Sequence, residues 1–260
     1  SFNPFYLTLS FTLLFIRTIF LVVSWQRTLI LAGENLPLRG ALKIFVISAL
    51  ARYLPGGVWD NVGKFVLAKK EYGTEGKRTF LSIALHLIIY IFTGVFIFLI
   101  SLAFFSNYQN LRTLIYSAIL IPLGLLVIYP PLLEKIINTI PSILRKEKFR
   151  LSFSYPQILR TIPWFFLSWV VVGSALFSLI AAFSSIKITL LPVIIGIYAI
   201  SWVVGFLTPI APNGAGVREA SLILLLGAVV PLPVAIVSTL SFRILIIGND
   251  LVAAAIGTKL

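Results

Sequence analysis

Four stretches of this chain, Phe5–Leu31, Phe80–Phe105, Ile158–Phe183 and Leu232–Ile256, are apolar along nearly their whole length. Each is long enough to cross a bilayer as a helix, which takes about 20 residues because the hydrocarbon layer is about 30 Å thick and a helical residue rises about 1.5 Å. Leu111–Leu133 is a fifth such run, more broken because it holds Pro122, Pro130 and Pro131. Of the 260 residues 59% are apolar and 11% charged, with a mean hydropathy of +1.05, whereas soluble domains are near half apolar and about a quarter charged. Lipid is the solvent that accommodates such a chain. The expected fold is therefore an all-α integral membrane protein, a polytopic helical bundle forming a single transmembrane domain over residues 1–260. The first run has no basic start or small-residue cleavage site, so it reads as a mature span, not a signal peptide.

Two further apolar regions are interrupted by turn residues. Ala41–Ala68 is broken around Pro55-Gly56-Gly57, and Leu190–Val229 around Pro209-Ile210-Ala211-Pro212-Asn213-Gly214-Ala215-Gly216. Proline removes a helical donor and glycine opens left-handed backbone, so each region is expected to be two helical pieces joined by an irregular turn. Such a turn survives at membrane depth only when protein or a watery cavity surrounds it, as in re-entrant hairpins.

The formal charge of +13 points to membrane orientation, because the basic residues gather in short loops between apolar runs. Nucleic acid is excluded as a partner on the same ground, since its binders spread basic residues over a solvated face. If each interrupted region enters and leaves on one side, that side receives Arg39, Lys43, Lys69, Lys70, Lys77, Arg78, Lys135, Arg145, Lys146, Lys148, Arg150, Arg160 and Lys259, and the other only Arg112 and Lys187. The positive-inside rule then predicts a plasma-membrane protein with its amino terminus outside and its carboxyl terminus cytoplasmic. Two full spans over Leu190–Val229 give the same sidedness, so charge does not separate them from a hairpin.

At an offset of 157 residues Pro55-x-Gly57 falls on Pro212-x-Gly214. The flanking spans coincide as well, so residues 1–105 and 158–260 each read as span, broken hairpin, span. The run 111–133 lies between them as a linker helix, followed by a basic loop over 134–157, and reverses the entry side of the second half. An inverted-topology repeat is expected, an arrangement in which broken helices meet near the midplane.

Charged groups inside apolar segments are costly and mark function by default. Around the first turn lie Arg52, Asp60, Asn61 and Lys64, and around the second Asn213, Arg218 and Glu219. Each turn opens a helix whose free N–H groups carry partial positive charge, and Arg or Lys beside glycine-exposed N–H groups makes an anion site suited to phosphate. Asp60 and Lys64, four apart, share a face. A structural network of ion pairs and helix caps explains the same residues, and the two readings are compatible. Arg243 and Asp250, seven apart, share a face of the last span, where Arg243 needs a partner or water. His86 reads as a hydrogen-bonded structural residue, Arg17 stays unassigned, and the aromatics read as interface belts and packing.

Cysteine is absent and there is one histidine, so disulfides, thiolate sites and a His-based metal centre are not expected. No D-x-D pair and no phosphate loop of the G-x-x-x-x-G-K-[ST] kind occurs, so no cofactor, metal or ATP hydrolysis is expected of this chain. Asp60, Glu219 and Asp250 have no evident nucleophile beside them, which disfavours an enzyme.

Arg52-Tyr53-Leu54-Pro55-Gly56-Gly57 with Gly63-Lys64, and Pro212-Asn213-Gly214-Ala215-Gly216-Val217-Arg218-Glu219-Ala220, resemble the two signature turns of the lysylphosphatidylglycerol synthase/flippase transmembrane family. Its members include the membrane domain of bacterial multiple peptide resistance factors, where a soluble aminoacyl-transferase domain follows, and many stand-alone proteins. The resemblance implies movement of a phospholipid or a polyprenyl-phosphate-linked lipid between leaflets, with membrane lipid as partner and a homo-oligomer or a lipid-modifying enzyme as further partners. Asn213 stands where the family pattern more often has glycine. The expected substrate contacts are Arg52, Pro55, Gly56, Gly57, Asp60, Lys64, Asn213, Gly214, Gly216, Arg218, Glu219 and Arg243. A secondary transporter of a small anionic solute and a membrane-embedded transferase remain alternatives.

Overall fold

The structure, a computed structural model, describes residues 2–54, 57–104, 129–139, 151, 153–208 and 214–260. These form helices and turns, with no strand among them. In chain order the helices are α1 (Pro4–Leu31), α2 (Leu38–Ala49), α3 (Trp59–Tyr72), α4 (Gly76–Ser101), α5 (Pro130–Ile137), α6 (Tyr155–Leu159), α7 (Ile162–Phe183), α8 (Leu191–Leu207), α9 (Val217–Leu226) and α10 (Leu232–Gly257). Short 3-10 turns extend α2 over Leu50–Tyr53, α4 over Leu102–Phe104 and the start of α8 over Ile188–Leu190.

The helix boundaries follow from local chemistry. Asn3 caps α1, its side-chain oxygen accepting the Phe5 N–H at 3.0 Å, and Pro4 fills a position that needs no donor. Gly73 takes φ +66° and closes α3, its N–H returning to the Lys69 carbonyl. Proline stands in the first turn of α7, α8 and α10. Pro130 and Pro131 open α5, so the expected run Leu111–Leu133 does not continue as one helix to its end. Its larger part, 111–128, lies outside the described residues.

Among the described residues five helical stretches are long and apolar enough to cross a membrane: Pro4–Leu31, Gly76–Phe104, Tyr155–Phe183, Ile188–Leu207 and Leu232–Gly257. Four are the expected clear spans. The fifth is the first arm of the region that turn chemistry interrupts, longer than its counterpart α2. Large apolar side chains stand exposed on these helices, among them Ile19 at 56% and Ile244 at 69%, a surface that suits lipid and not water. The chain is thus an all-α, multi-pass membrane protein.

α1 and α7 pack along each other at the centre, with the Ser10 hydroxyl donating to the Ala175 carbonyl at 2.7 Å. α4 crosses α7 through the Trp169 indole, which donates to the Thr93 hydroxyl at 3.2 Å. Small residues permit the close crossings: a Cβ on Gly173 would stand 2.6 Å from the Ile195 backbone, and one on Gly94 2.8 Å from the Trp169 ring.

The pairings repeat. α1 packs on α2 and α4 as α7 packs on α8 and α10, α2–α3 matches α8–α9, and α3–α4 matches α9–α10. The cross-pairings match too, α2–α10 with α8–α4 and α4–α7 with α10–α1. Exchanging the halves therefore returns the same set of neighbours.

Candidate functional site

Both bends end on one cavity. The first carries the chain from α2 through the Leu50–Tyr53 turn to α3, and the second carries it from α8 to α9. A cavity of about 180 Å³ lies where they meet, lined by Arg52, Gly57, Asp60 and Lys64 of the first and Gly205, Thr208, Gly214 and Arg218 of the second. α1 adds Arg17, α4 adds His86 and Tyr90, α8 adds Trp202, and α10 adds Ile246.

α10 fastens both bends. Asp250 accepts a hydrogen bond from the Tyr53 hydroxyl at 2.7 Å and pairs with Arg52 at 3.3 Å. Two turns earlier on the same face, Arg243 pairs with Glu219 at 2.6 Å. The other Glu219 oxygen accepts the Gly216 N–H at 2.7 Å, satisfying a donor at the start of α9. Residues seven apart on a helix are about 10 Å apart along its axis, so the two turns are held side by side.

Within the cavity the charges are uneven. Lys64 is buried, pairs with Asp60 at 3.6 Å and stands 4.4 Å from the centre of the Phe45 ring. Arg218 is buried with the Tyr198 hydroxyl as its hydrogen-bond partner and the Tyr198 ring centre 5.2 Å away. Neither Arg218 nor Arg17 forms an ion pair with a described carboxylate. The buried Nε atoms of Arg17 and Arg52 and Nδ1 of His86 have no hydrogen-bond partner among the described residues. Buried polar atoms are nearly always satisfied by protein or water, so a cluster of orphans around one cavity marks room for polar occupants.

The glycines divide by role. Gly57 takes φ +67° with no atom of another described residue within 4 Å of a Cβ position, whereas a Cβ on Gly214, at φ +65°, would stand 2.5 Å from the Gly205 carbonyl oxygen. Gly57 leaves its side of the turn open. Gly214 instead lets the second turn lie backbone to backbone against the end of α8.

Of the residues singled out from the sequence, Arg52, Gly57, Asp60, Lys64, Gly214 and Arg218 line the cavity. Glu219 and Arg243 form the clamp beside it, with Gly216 at the clamp's foot, and Glu219, not Asp250, is the partner of Arg243. Pro55, Gly56 and Asn213 lie outside the described residues. Sequence reasoning left Arg17 unassigned and gave the aromatics no part in a site. Arg17 points into the cavity, and Tyr90, Trp202 and His86 form one wall, with Tyr90 stacked on Trp169 at 4.1 Å. The available signal was a charge in mid-span on α1, which gives the need for a partner but not its location.

The fold and cavity define a class: a multi-span helical membrane protein with a cationic chamber between two glycine-bearing bends. Comparison with known families narrows it. The family described as lysylphosphatidylglycerol synthase TM region matches residues 1–251, and the chain belongs to that family. No curated protein matches it.

Proposed function

We propose that this protein moves an anionic lipid between the leaflets of its membrane, holding the lipid phosphate in the cavity between the two bends. The observation that carries the reading is the charge of the chamber: among the described residues Arg17, Arg52, Lys64 and Arg218 line it against Asp60 alone. Buried charge is costly unless compensated, so such a chamber favours an anionic occupant. The first turn of α3 borders the cavity and Arg218 sits in the first turn of α9, which adds the positive ends of two helices. Membership of a lipid-related family supports a lipid as the source of the anion.

The matched pairings of the two halves support an inverted-topology repeat, with residues 1–105 and 158–260 entering from opposite sides and the two bends as re-entrant hairpins. The basic loops then face the cytoplasm of a plasma membrane. Arg52, Gly57, Asp60, Lys64, Gly214 and Arg218 contact the headgroup, and Glu219, Arg243 and Gly216 position the second bend. Acyl tails stay in the bilayer while the headgroup crosses.

Reconstitution into vesicles tests this directly. Fluorescent phosphatidylglycerol or phosphatidic acid should lose its inner-leaflet protection faster with the protein present, while phosphatidylcholine should not. Arg218→Ala should slow the anionic lipids about tenfold or more, the worth of one charge-assisted contact. Equal rates for wild type and Arg218→Ala, with both folded by gel filtration, refute the site. Uptake of inorganic phosphate without lipid movement replaces the flippase by a carrier of small anions.

A further inference from the structure

Four fixed cations line the cavity, and their partners can be matched one by one. Asp60 pairs with Lys64 at 3.6 Å, and Asp250, behind the wall, pairs with Arg52 at 3.3 Å. Arg17 and Arg218 remain. Their residues are 5% and 7% exposed, so both guanidinium groups are withdrawn from bulk water. Arg17 shares with Arg52 the small cleft beside Asp250, but one carboxylate balances one of the two. A guanidinium does not shed its proton in a protein, so the chamber keeps two positive charges that it does not itself neutralise.

The same matching says what is missing for other cargo. A headgroup bearing ammonium groups needs a carboxylate with free capacity, and among the described residues lining the cavity the single acid, Asp60, is engaged by Lys64. An aminoacylated phosphodiester would bring its cations into a chamber already in positive surplus. A simple phosphodiester, with one negative charge, would cancel half of that surplus. A phosphomonoester carries nearly two charges at neutral pH and presents three strong acceptor oxygens, which suits two arginine forks.

This inference rests on the reading above and narrows it: we infer that the cavity takes a doubly charged phosphomonoester headgroup, in preference to a phosphodiester and to the exclusion of an aminoacylated one. The monoester is lipid-borne or free phosphate, and the ligands of the test separate the two.

Binding to the purified full chain in phosphatidylcholine nanodiscs is measured by calorimetry with four ligands: dodecyl phosphate, its methyl diester, lysylphosphatidylglycerol and inorganic phosphate. At pH 8 dodecyl phosphate should bind about tenfold tighter than the diester, the difference made by one charge-assisted contact, and the lysylated lipid should not displace it. A monoester takes up its second proton near pH 6, so the preference should be full above that value and vanish below it. The charged or titratable groups facing the headgroup are Arg17 on α1, Arg52 in the 3-10 turn, Asp60 and Lys64 on α3, His86 and Tyr90 on α4, and Arg218 on α9. The midpoint must coincide with the bound monoester's own second proton, read from its phosphorus resonance, and a midpoint that departs from it overturns the assignment of the preference to the ligand's charge. Arg17→Ala and Arg218→Ala should each abolish the preference, and Arg17→Lys and Arg218→Lys should keep part of it. Equal affinity for monoester and diester, or displacement by the lysylated lipid, overturns the inference while leaving anionic lipid transport intact. Binding of inorganic phosphate with no lipid bound overturns the lipid transport reading and leaves free phosphate as the doubly charged occupant of the cavity.

Discussion

Gly57 and Gly214 share almost the same backbone, φ +67° and +65°, and differ in surroundings. This makes them a controlled pair. Alanine at either must adopt left-handed backbone, which costs about 1–2 kcal/mol. At Gly57 no described residue lies within 4 Å of the added carbon, whereas at Gly214 the Gly205 backbone stands 2.5 Å away, and overpacking adds about 1–3 kcal/mol. Gly57→Ala is therefore expected to lower unfolding stability in detergent by about 1–2 kcal/mol, and Gly214→Ala by about 2–5 kcal/mol. Equal losses would mean that the second bend yields instead of packing. At this scale the sequence named the charged and glycine residues of the bends, because charge and turn chemistry are local properties. It could not place Arg17, since residues far apart in the chain decide which side of α1 is covered, and it passed over Tyr90 and Trp202 because an aromatic in a span looks the same whether it faces lipid or a chamber.

At the scale of elements, α10 acts as a post to which both bends are tied, by an acid to the first and a base to the second. Asp250 is buried at 4% exposure and serves Arg52 and Tyr53 together. Removing one partner of a buried pair leaves the other charge uncompensated at a cost of about 3–5 kcal/mol, while removing both costs far less. Asp250→Asn should destabilise by about that amount, and Arg52→Gln/Asp250→Asn should recover about 1–3 kcal/mol of it. Strict additivity in that double-mutant cycle, followed by thermal unfolding, would show that the contact does not hold the first bend. The four clear spans were readable from the sequence to within a few residues, as Phe5–Leu31 against Pro4–Leu31 illustrates, because length and hydropathy set them. The arms of the broken regions were harder. α8 has the length of a span where α2 has 12 residues, and a proline-glycine break says where a helix stops, not how deep it has gone.

For the whole molecule, the matched neighbours of the two halves and the basic bias of the loops lead to one topology, and the absence of cysteine makes it accessible to measurement. Lys70, at the end of α3, and Lys187, between α7 and α8, are both exposed and outside the candidate spans. On the proposed orientation the positive-inside rule puts them on opposite faces of the membrane, Lys70 with the basic cytoplasmic loops and Lys187 on the sparsely charged outer side. The short apolar motif match between halves hinted at this arrangement, but two tripeptides carry little weight until the packing repeats as well. A membrane-impermeant thiol reagent applied to intact cells should label Lys187→Cys and spare Lys70→Cys, which should react only after the membrane is permeabilised. Labelling of both from one side would break the reversal between the halves, since α4 and α7 are spans and an even number of crossings would then separate the two sites. Labelling with the pattern exchanged would keep the reversal and turn the whole protein over, so that the face carrying the basic loops would look away from the cytoplasm.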